Sequence, residues 1–218
     1  AVRAFSEQTR ERVTVIHNGI DIERCKQTES RASVRASWGF DESHIVCGYL
    51  GRCSPEKNPM ATANAVGFLG GNYRGVYIET GQHVEEMRTL TRAFAGDRVK
   101  FVKPHSQIGN FLHAVDVMVL ASHTEGFSLA LAEAWYCGVP VVATPVGSVP
   151  EVTRKYGELV SLVPNDPTPQ DVANGIEYAT SGRFRPVVNH AKRICESNFT
   201  SRIMGKWWTD YIISIVNN

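Results

Sequence analysis

From Ile45 onward, short β-branched or apolar runs alternate with stretches of helical character, and that alternation is the signature of a parallel sheet covered on both faces. The runs fall at 45–50, 75–79, 99–102, 116–120, 139–143 and, more weakly, 159–163. Helices fill the gaps at about 59–70, 83–95, 106–114, 127–137 and 148–154. Runs of this size suit strands, whose mean length is about 5–6 residues. The expected fold is α/β, a doubly wound parallel sheet of Rossmann type with strand order 3-2-1-4-5-6. In that order strands one and four flank the switch point, and ligands bind outside their carboxyl ends.

The rest of the chain narrows the class. With 43% hydrophobic and 21% charged residues, 218 residues can bury one substantial core, so one domain is the default. A net charge of +1 gives no overall pull toward nucleic acid or an anionic membrane. No apolar run approaches the roughly 20 residues of a membrane helix, and residues 1–10 are too polar for a signal peptide. Cys25, Cys47, Cys53, Cys137 and Cys195 are odd in number, widely spaced and never Cys-x-x-Cys, which predicts a reduced, cytoplasmic chain. The histidines show no ligand spacing, and the sequon at Asn198 reads as accidental.

Three local signals qualify the pattern. Residues 13–16 look strand-like and run into Asn18-Gly19, a strong turn signal. Asn58-Pro59 predicts an N-cap with proline at the first helical position, leaving a loop over 51–57. From about residue 169 the chain is helical, and Met204, Trp207, Trp208, Tyr211 and Ile215 form one apolar face whose ordinary use is core packing.

The chemistry-bearing motifs of dehydrogenases, P-loop ATPases, serine hydrolases and zinc proteases are missing, as is Asp-x-Asp. What remains is Glu125-Gly126-Phe127-Ser128-Leu129-Ala130-Leu131-Ala132-Glu133, followed by Cys137-Gly138-Val139-Pro140-Val141-Val142-Ala143. Glu125 falls in the loop after strand four, where the amides of Phe127, Ser128 and Leu129 are unpaired at a helix start and suit an anion. Glu133 lies about two turns on, so the two carboxylates can address the two ends of a ligand with phosphate between them. Two solvated surface glutamates are the plain alternative, but Phe127, Leu129, Leu131 and Trp135 make the segment apolar. After strand one comes Gly51-Arg52-Cys53-Ser54-Pro55-Glu56-Lys57. Arg52 offers a fork of donors and Lys57 a point charge, which can neutralise a diphosphate without a metal. Taken alone, they could equally be two surface cations. The topology brings both loops to one crevice.

The segment from Glu125 to Ala143 resembles the signature of glycosyltransferase family four, with two glutamates separated by seven residues opening a helix that leads into a small-Gly-x-Pro-Val turn. Gly51, Arg52 and Lys57 are similar to the family's Gly-Arg…Lys loop, and Val13 to Asp21 resembles the segment by which its chains enter the C-terminal domain. Lys103 and Pro104 follow strand three where the family's main chain meets the base. Ser128 departs, since many members carry glycine there. The resemblance implies the C-terminal, nucleotide-sugar-binding half of a GT-B fold: residues 1–25 as the inter-domain segment with a first strand, 26–198 as the Rossmann-like domain, and 199–218 as a crossover helix. It further implies retaining, metal-independent transfer from a nucleoside diphosphate sugar to a hydroxyl acceptor, with no cofactor and no metal site. Glu125 would hold the hexose, Glu133 the ribose, and Arg52 and Lys57 the diphosphate, the catalytic weight falling on Glu125, Arg52 and Lys57. Gly51, Lys103, Gly126, Phe127, Ser128 and Leu129 would complete the donor site. The N-terminal acceptor-binding half, with any peripheral membrane association, would lie outside this chain, leaving it inactive alone. A sugar-nucleotide epimerase of the same architecture and a non-catalytic nucleotide-binding regulatory domain are the alternatives; the paired glutamates favour the transferase. Nothing in the sequence names the sugar, the base or the acceptor.

Overall fold

In a computed structural model, which describes residues 13–104 and 107–216, the strands are β1 (Ile45–Tyr49), β2 (Tyr73–Ile78), β3 (Val99–Val102), β4 (Val117–Leu120), β5 (Val141–Ala143) and β6 (Ser161–Leu162). They form one parallel sheet of order β3-β2-β1-β4-β5-β6, the order expected. Alternate residues of β1 to β5 feed two cores. Val46, Val76, Ile78 and Met118 point to one face, Cys47, Tyr49, Tyr77 and Val119 to the other. Burial on both faces is why the strands read as near-continuous apolar runs.

Helices α1 (Arg31–Ser37), α2 (Met60–Leu69), α3 (Val84–Ala95), α4 (Ile108–Ala114), α5 (Leu129–Tyr136), α6 (Val149–Tyr156), α7 (Pro169–Thr180) and α8 (Arg185–Asn198) divide between the faces. Residues of α2, α3 and α7 pack on one side, and those of α1, α4, α5, α6 and α8 on the other. The last helix, α9, spans Ser201–Val216.

Several expectations need correction. Residues 13–16 form no strand; the first pairing is a parallel bridge between Ile20 and Thr200. Gly19 serves that approach rather than a turn, because a Cβ there would stand 2.3 Å from the Thr200 carbonyl oxygen. Asn58 is not an N-cap: its backbone is left-handed (φ 45°) and ends a 3-10 turn at Pro55–Lys57, and α2 starts two residues later. Asparagine tolerates that conformation better than most residues. β5 begins two residues after the expected start, because Pro140 has no amide for the ladder, although its carbonyl accepts from Met118 N at 2.9 Å.

The apolar stripe of the last helix is not core packing. No residue of α9 is buried, and Trp208, Ile212, Ile213 and Ile215 are about half exposed. Both sheet faces are already covered by the other helices, so the stripe is only partly covered, at Met204, Trp207 and Tyr211, and the start of α9 is tied down where Gly19 N donates to Met204 Sδ at 3.3 Å. The first twelve residues of the expected inter-domain segment, and His105 beside Lys103, lie outside the described residues.

Candidate functional site

The site is built from loops at the carboxyl ends of the strands. After β1, Tyr49 Oη donates to the Arg52 carbonyl and Thr80 Oγ1 to the Gly51 carbonyl, each at 2.7 Å, while Cys53 N donates to the Thr80 carbonyl at 2.7 Å. The backbone is thus pinned on both sides of Arg52, whose side chain is two-thirds exposed and 3.2 Å from Glu56 Oε1. The 3-10 turn then offers the Glu56 carbonyl to the amides of His123 (2.9 Å) and Thr124 (3.3 Å), stitching this loop to the one after β4. Across that seam Lys57 Nζ meets Glu125 Oε1 at 2.7 Å, both side chains 19% exposed. Ser122 Oγ donates to the same oxygen at 3.3 Å. Both contacts fall on Oε1, and Oε2 has no partner among the described residues.

Just beyond Glu125, α5 opens with Ser128 as its cap, whose Oγ accepts from Leu131 N at 3.4 Å. The amides of Phe127, Ser128 and Leu129 have no acceptor among the described residues, which leaves three donors unpaired at the start of this helix. The loop after β5 presses on this segment. Gly147 has φ 59°, a Cβ there would lie 2.3 Å from the Gly126 carbonyl oxygen and 2.7 Å from Glu125 Cβ, and Ser148 N donates to that carbonyl at 2.9 Å.

A mutational contrast follows. Gly147→Ala combines a strained backbone with a backbone clash and should cost about 2–4 kcal/mol, whereas Gly126→Ala meets open space. Urea unfolding should show a large midpoint loss for the first and little for the second; equal midpoints would mean that the Gly147 contact does not shape the loop.

Beside this loop a cavity of about 330 Å³ is lined by His17, Asn18, Glu125, Phe127, Ser148 and Glu151, among others. His17 Nε2 lies 3.1 Å from Glu151 Oε1, and its ring is 5.5 Å from the Phe127 ring and 5.8 Å from that of Phe199. A wider cavity of about 560 Å³ lies at the opposite, amino ends of the strands, bounded by Ile45, Asp116, Pro140 and Arg185, and holds none of the residues expected to bind the donor.

Glu133 meets different surroundings. It is buried, 6% exposed, and faces a 3-10 turn at Ile22–Cys25, where Arg24 Nη1 is 3.6 Å away. Burial raises its pKa above the usual carboxylate range, and Arg24 acts against that shift. It does not line the cavity that Glu125 borders. Lys103 is exposed just past β3, at the edge of a hollow of about 160 Å³ shared with Trp38, Gln107 and Asn110.

Residues 30–197 match the family profile of glycosyl transferases group 1. The chain belongs to this family. The D-inositol 3-phosphate glycosyltransferase of Mycolicibacterium smegmatis is 33% identical over 150 residues, covering 65% of this chain and 34% of its own. That of Mycobacterium bovis is 28% identical over 195 residues, 84% and 37% of the two chains. HepE of Anabaena, solved in complex with UDP, superposes with a TM-score of 0.83 at 24% identity, covering 94% of this chain and 58% of that one. The C-terminal domain of a group 1 protein from Francisella tularensis gives 0.66 at 20% identity, covering 84% of this chain and 100% of its own. This group 1 chain therefore spans about a third of the length of the curated relatives it matches. Its fold is that of the C-terminal half of a GT-B glycosyl transferase.

In this group 1 domain, Gly51, Arg52, Lys57, Glu125, Gly126, Phe127, Ser128 and Leu129 gather at the carboxyl ends of β1 and β4. Lys103 stands apart at the end of β3, and Glu133 lies beneath Arg24. Sequence reasoning missed Thr80, the Glu56 carbonyl, Gly147, His17 and Arg24. Only Gly147 left a local signal, a glycine in Thr-Pro-Val-Gly-Ser directly after a strand.

Proposed function

We propose that this domain binds a nucleoside diphosphate sugar and acts as the donor half of a retaining, metal-independent hexosyltransferase, the acceptor hydroxyl being held by a second domain. The observation that carries this reading is the Lys57–Glu125 contact of 2.7 Å at the amino end of α5, which puts a cation, a carboxylate and unpaired amides at the switch point. A diphosphate there meets the Arg52 fork, the Lys57 charge and the amides of Phe127, Ser128 and Leu129. These groups act most strongly on the charge that develops as the nucleotide leaves, so they lower the barrier and not merely the binding energy. Glu125 accepts from the hexose through Oε2, Glu133 takes the ribose, and the main chain at Lys103 meets the base. The donor phosphate receives the acceptor's proton, and none of these side chains needs to be a nucleophile. The Anabaena neighbour, solved with UDP and with UDP-glucose, supports this ligand class. We take residues 26–198 as the donor domain, with 1–25 and 199–218 as its links to the acceptor half. No helix among the described residues is long and apolar enough to cross a membrane. The five cysteines are free thiols, which suits a cytoplasmic enzyme.

Thermal unfolding of the 218-residue chain in excess EDTA tests the reading. UDP, GDP or ADP at about 100 times its dissociation constant should add roughly 2.7 kcal/mol, or about 5–11 °C in Tm. No shift with any of the three, or a shift that chelation abolishes, would overturn it.

A further inference from the structure

Among the described residues Glu133 is the one acidic side chain that is buried, and its carboxylate has no hydrogen bond. A carboxylate in that position neutralises itself by taking up a proton unless a cation compensates. Once protonated it carries a donor of its own and no longer offers acceptors to both hydroxyls of a vicinal diol. The compensating cation is Arg24, 3.6 Å away. Its turn is held in place: Asp21 Oδ1 accepts from Glu23 N at 3.0 Å, Cys25 is buried, and the Gln107 amide, oriented to satisfy its bonds, donates to the Arg24 carbonyl at 3.2 Å. Other titratable groups on the elements packed there are the Cys137 thiol at the end of its own helix, Cys25 of the turn, and Cys195 and Lys192 of α8.

We infer that Arg24 is a positioning residue of the ribose subsite: paired with Glu133, it keeps the buried carboxylate ionised and aimed, so that both ribose hydroxyls can donate to it. The inference rests on the ribose role proposed above for Glu133. It extends the site to a turn that precedes β1, and it makes nucleotide affinity fall on acidification, because protonation of Glu133 removes the acceptor. Without Arg24 that fall begins at a higher pH.

Two measurements on the wild-type chain, Arg24→Met and Arg24→Lys test it. The first is a ¹³C NMR titration of the Glu133 carboxyl carbon, assigned with Glu133→Gln. The second is calorimetry between pH 5 and 8 with UDP, 2′-deoxy-UDP and inorganic pyrophosphate. In Arg24→Met, Glu133 should titrate at higher pH and UDP affinity should drop severalfold at the wild-type midpoint, where half of the wild-type carboxylate is still ionised. Pyrophosphate binding should hold, the deoxy analogue should be less sensitive than UDP, and Arg24→Lys should recover most of the loss. An unchanged Glu133 titration, or equal losses for all three ligands at every pH, overturns the inference. A wild-type chain that binds no nucleotide sinks the proposed function and this inference with it, whereas UDP binding indifferent to Arg24 sinks the inference alone.

Discussion

Replacing Lys57 with alanine is expected to weaken nucleoside diphosphate binding about tenfold to a hundredfold, the worth of one charge-assisted hydrogen bond at roughly 1.5–3 kcal/mol. In a transferase completed by an acceptor-binding domain, turnover should fall about 10²–10³-fold, since the leaving phosphate gains most from this charge in the transition state. A second effect runs alongside. The substitution strips Glu125 Oε1 of its cation, and both side chains are 19% exposed. That places the pair between surface ion pairs, worth about 0.2–1 kcal/mol, and buried ones, whose breaking costs about 3–5. After discounting for solvent, roughly 1–2 kcal/mol belongs to the pair, less than the direct contact with phosphate. Glu125→Gln on the Lys57→Ala background separates the two by calorimetry: partial recovery of nucleotide affinity is expected, because the freed carboxylate no longer repels phosphate. Wild-type affinity in Lys57→Ala for every nucleoside diphosphate would remove Lys57 from the site.

The second large effect is a contrast between the two glutamates, which a generic nucleotide-binding domain would not show. Glu133→Ala removes a ribose contact common to nucleotide and donor, so both should bind about ten- to a hundredfold more weakly. Glu125→Ala removes a contact to the hexose, so affinity for the donor and turnover should fall while bare nucleotide changes far less. Circular dichroism must show both variants folded, and Glu133→Gln serves as the control for the space that alanine leaves beside Arg24. Equal losses for nucleotide and donor at Glu125 would show that the sugar is not held there.

The sheet order was legible because the inner strands β1, β4 and β5 are buried on both faces, which writes β-branched runs into the sequence however the helices pack between them. Strand starts were less so: Tyr73 and Arg74 open β2 while only partly buried, so their pattern gives no warning of the ladder. Arg52, Lys57 and Glu125 could be brought together because topology alone carries the carboxyl ends of strands one and four to one place. Glu133 was legible as a residue but not in its surroundings. Its partner Arg24 lies on a turn far upstream, and periodicity holds no record of contacts between segments so distant in the chain. The partial exposure of Trp207 and Trp208 on α9 was legible only through the resemblance, whose crossover helix reaches toward another half; the amphipathic stripe alone states that a helix has an apolar face, and says nothing of whether the chain has surface left to receive it.

The His17 ring lies within 6 Å of two aromatic neighbours, Phe127 in the loop that carries Glu125 and Phe199 beside the start of α9. The two phenyl rings also meet each other, at 5.1 Å, so the backbone ahead of Asn18, the loop proposed to grip the sugar and the root of the last helix close on one three-ring cluster. Both places lie on the same side of the sheet, so the loop after β4 and the root of α9 share one packed joint.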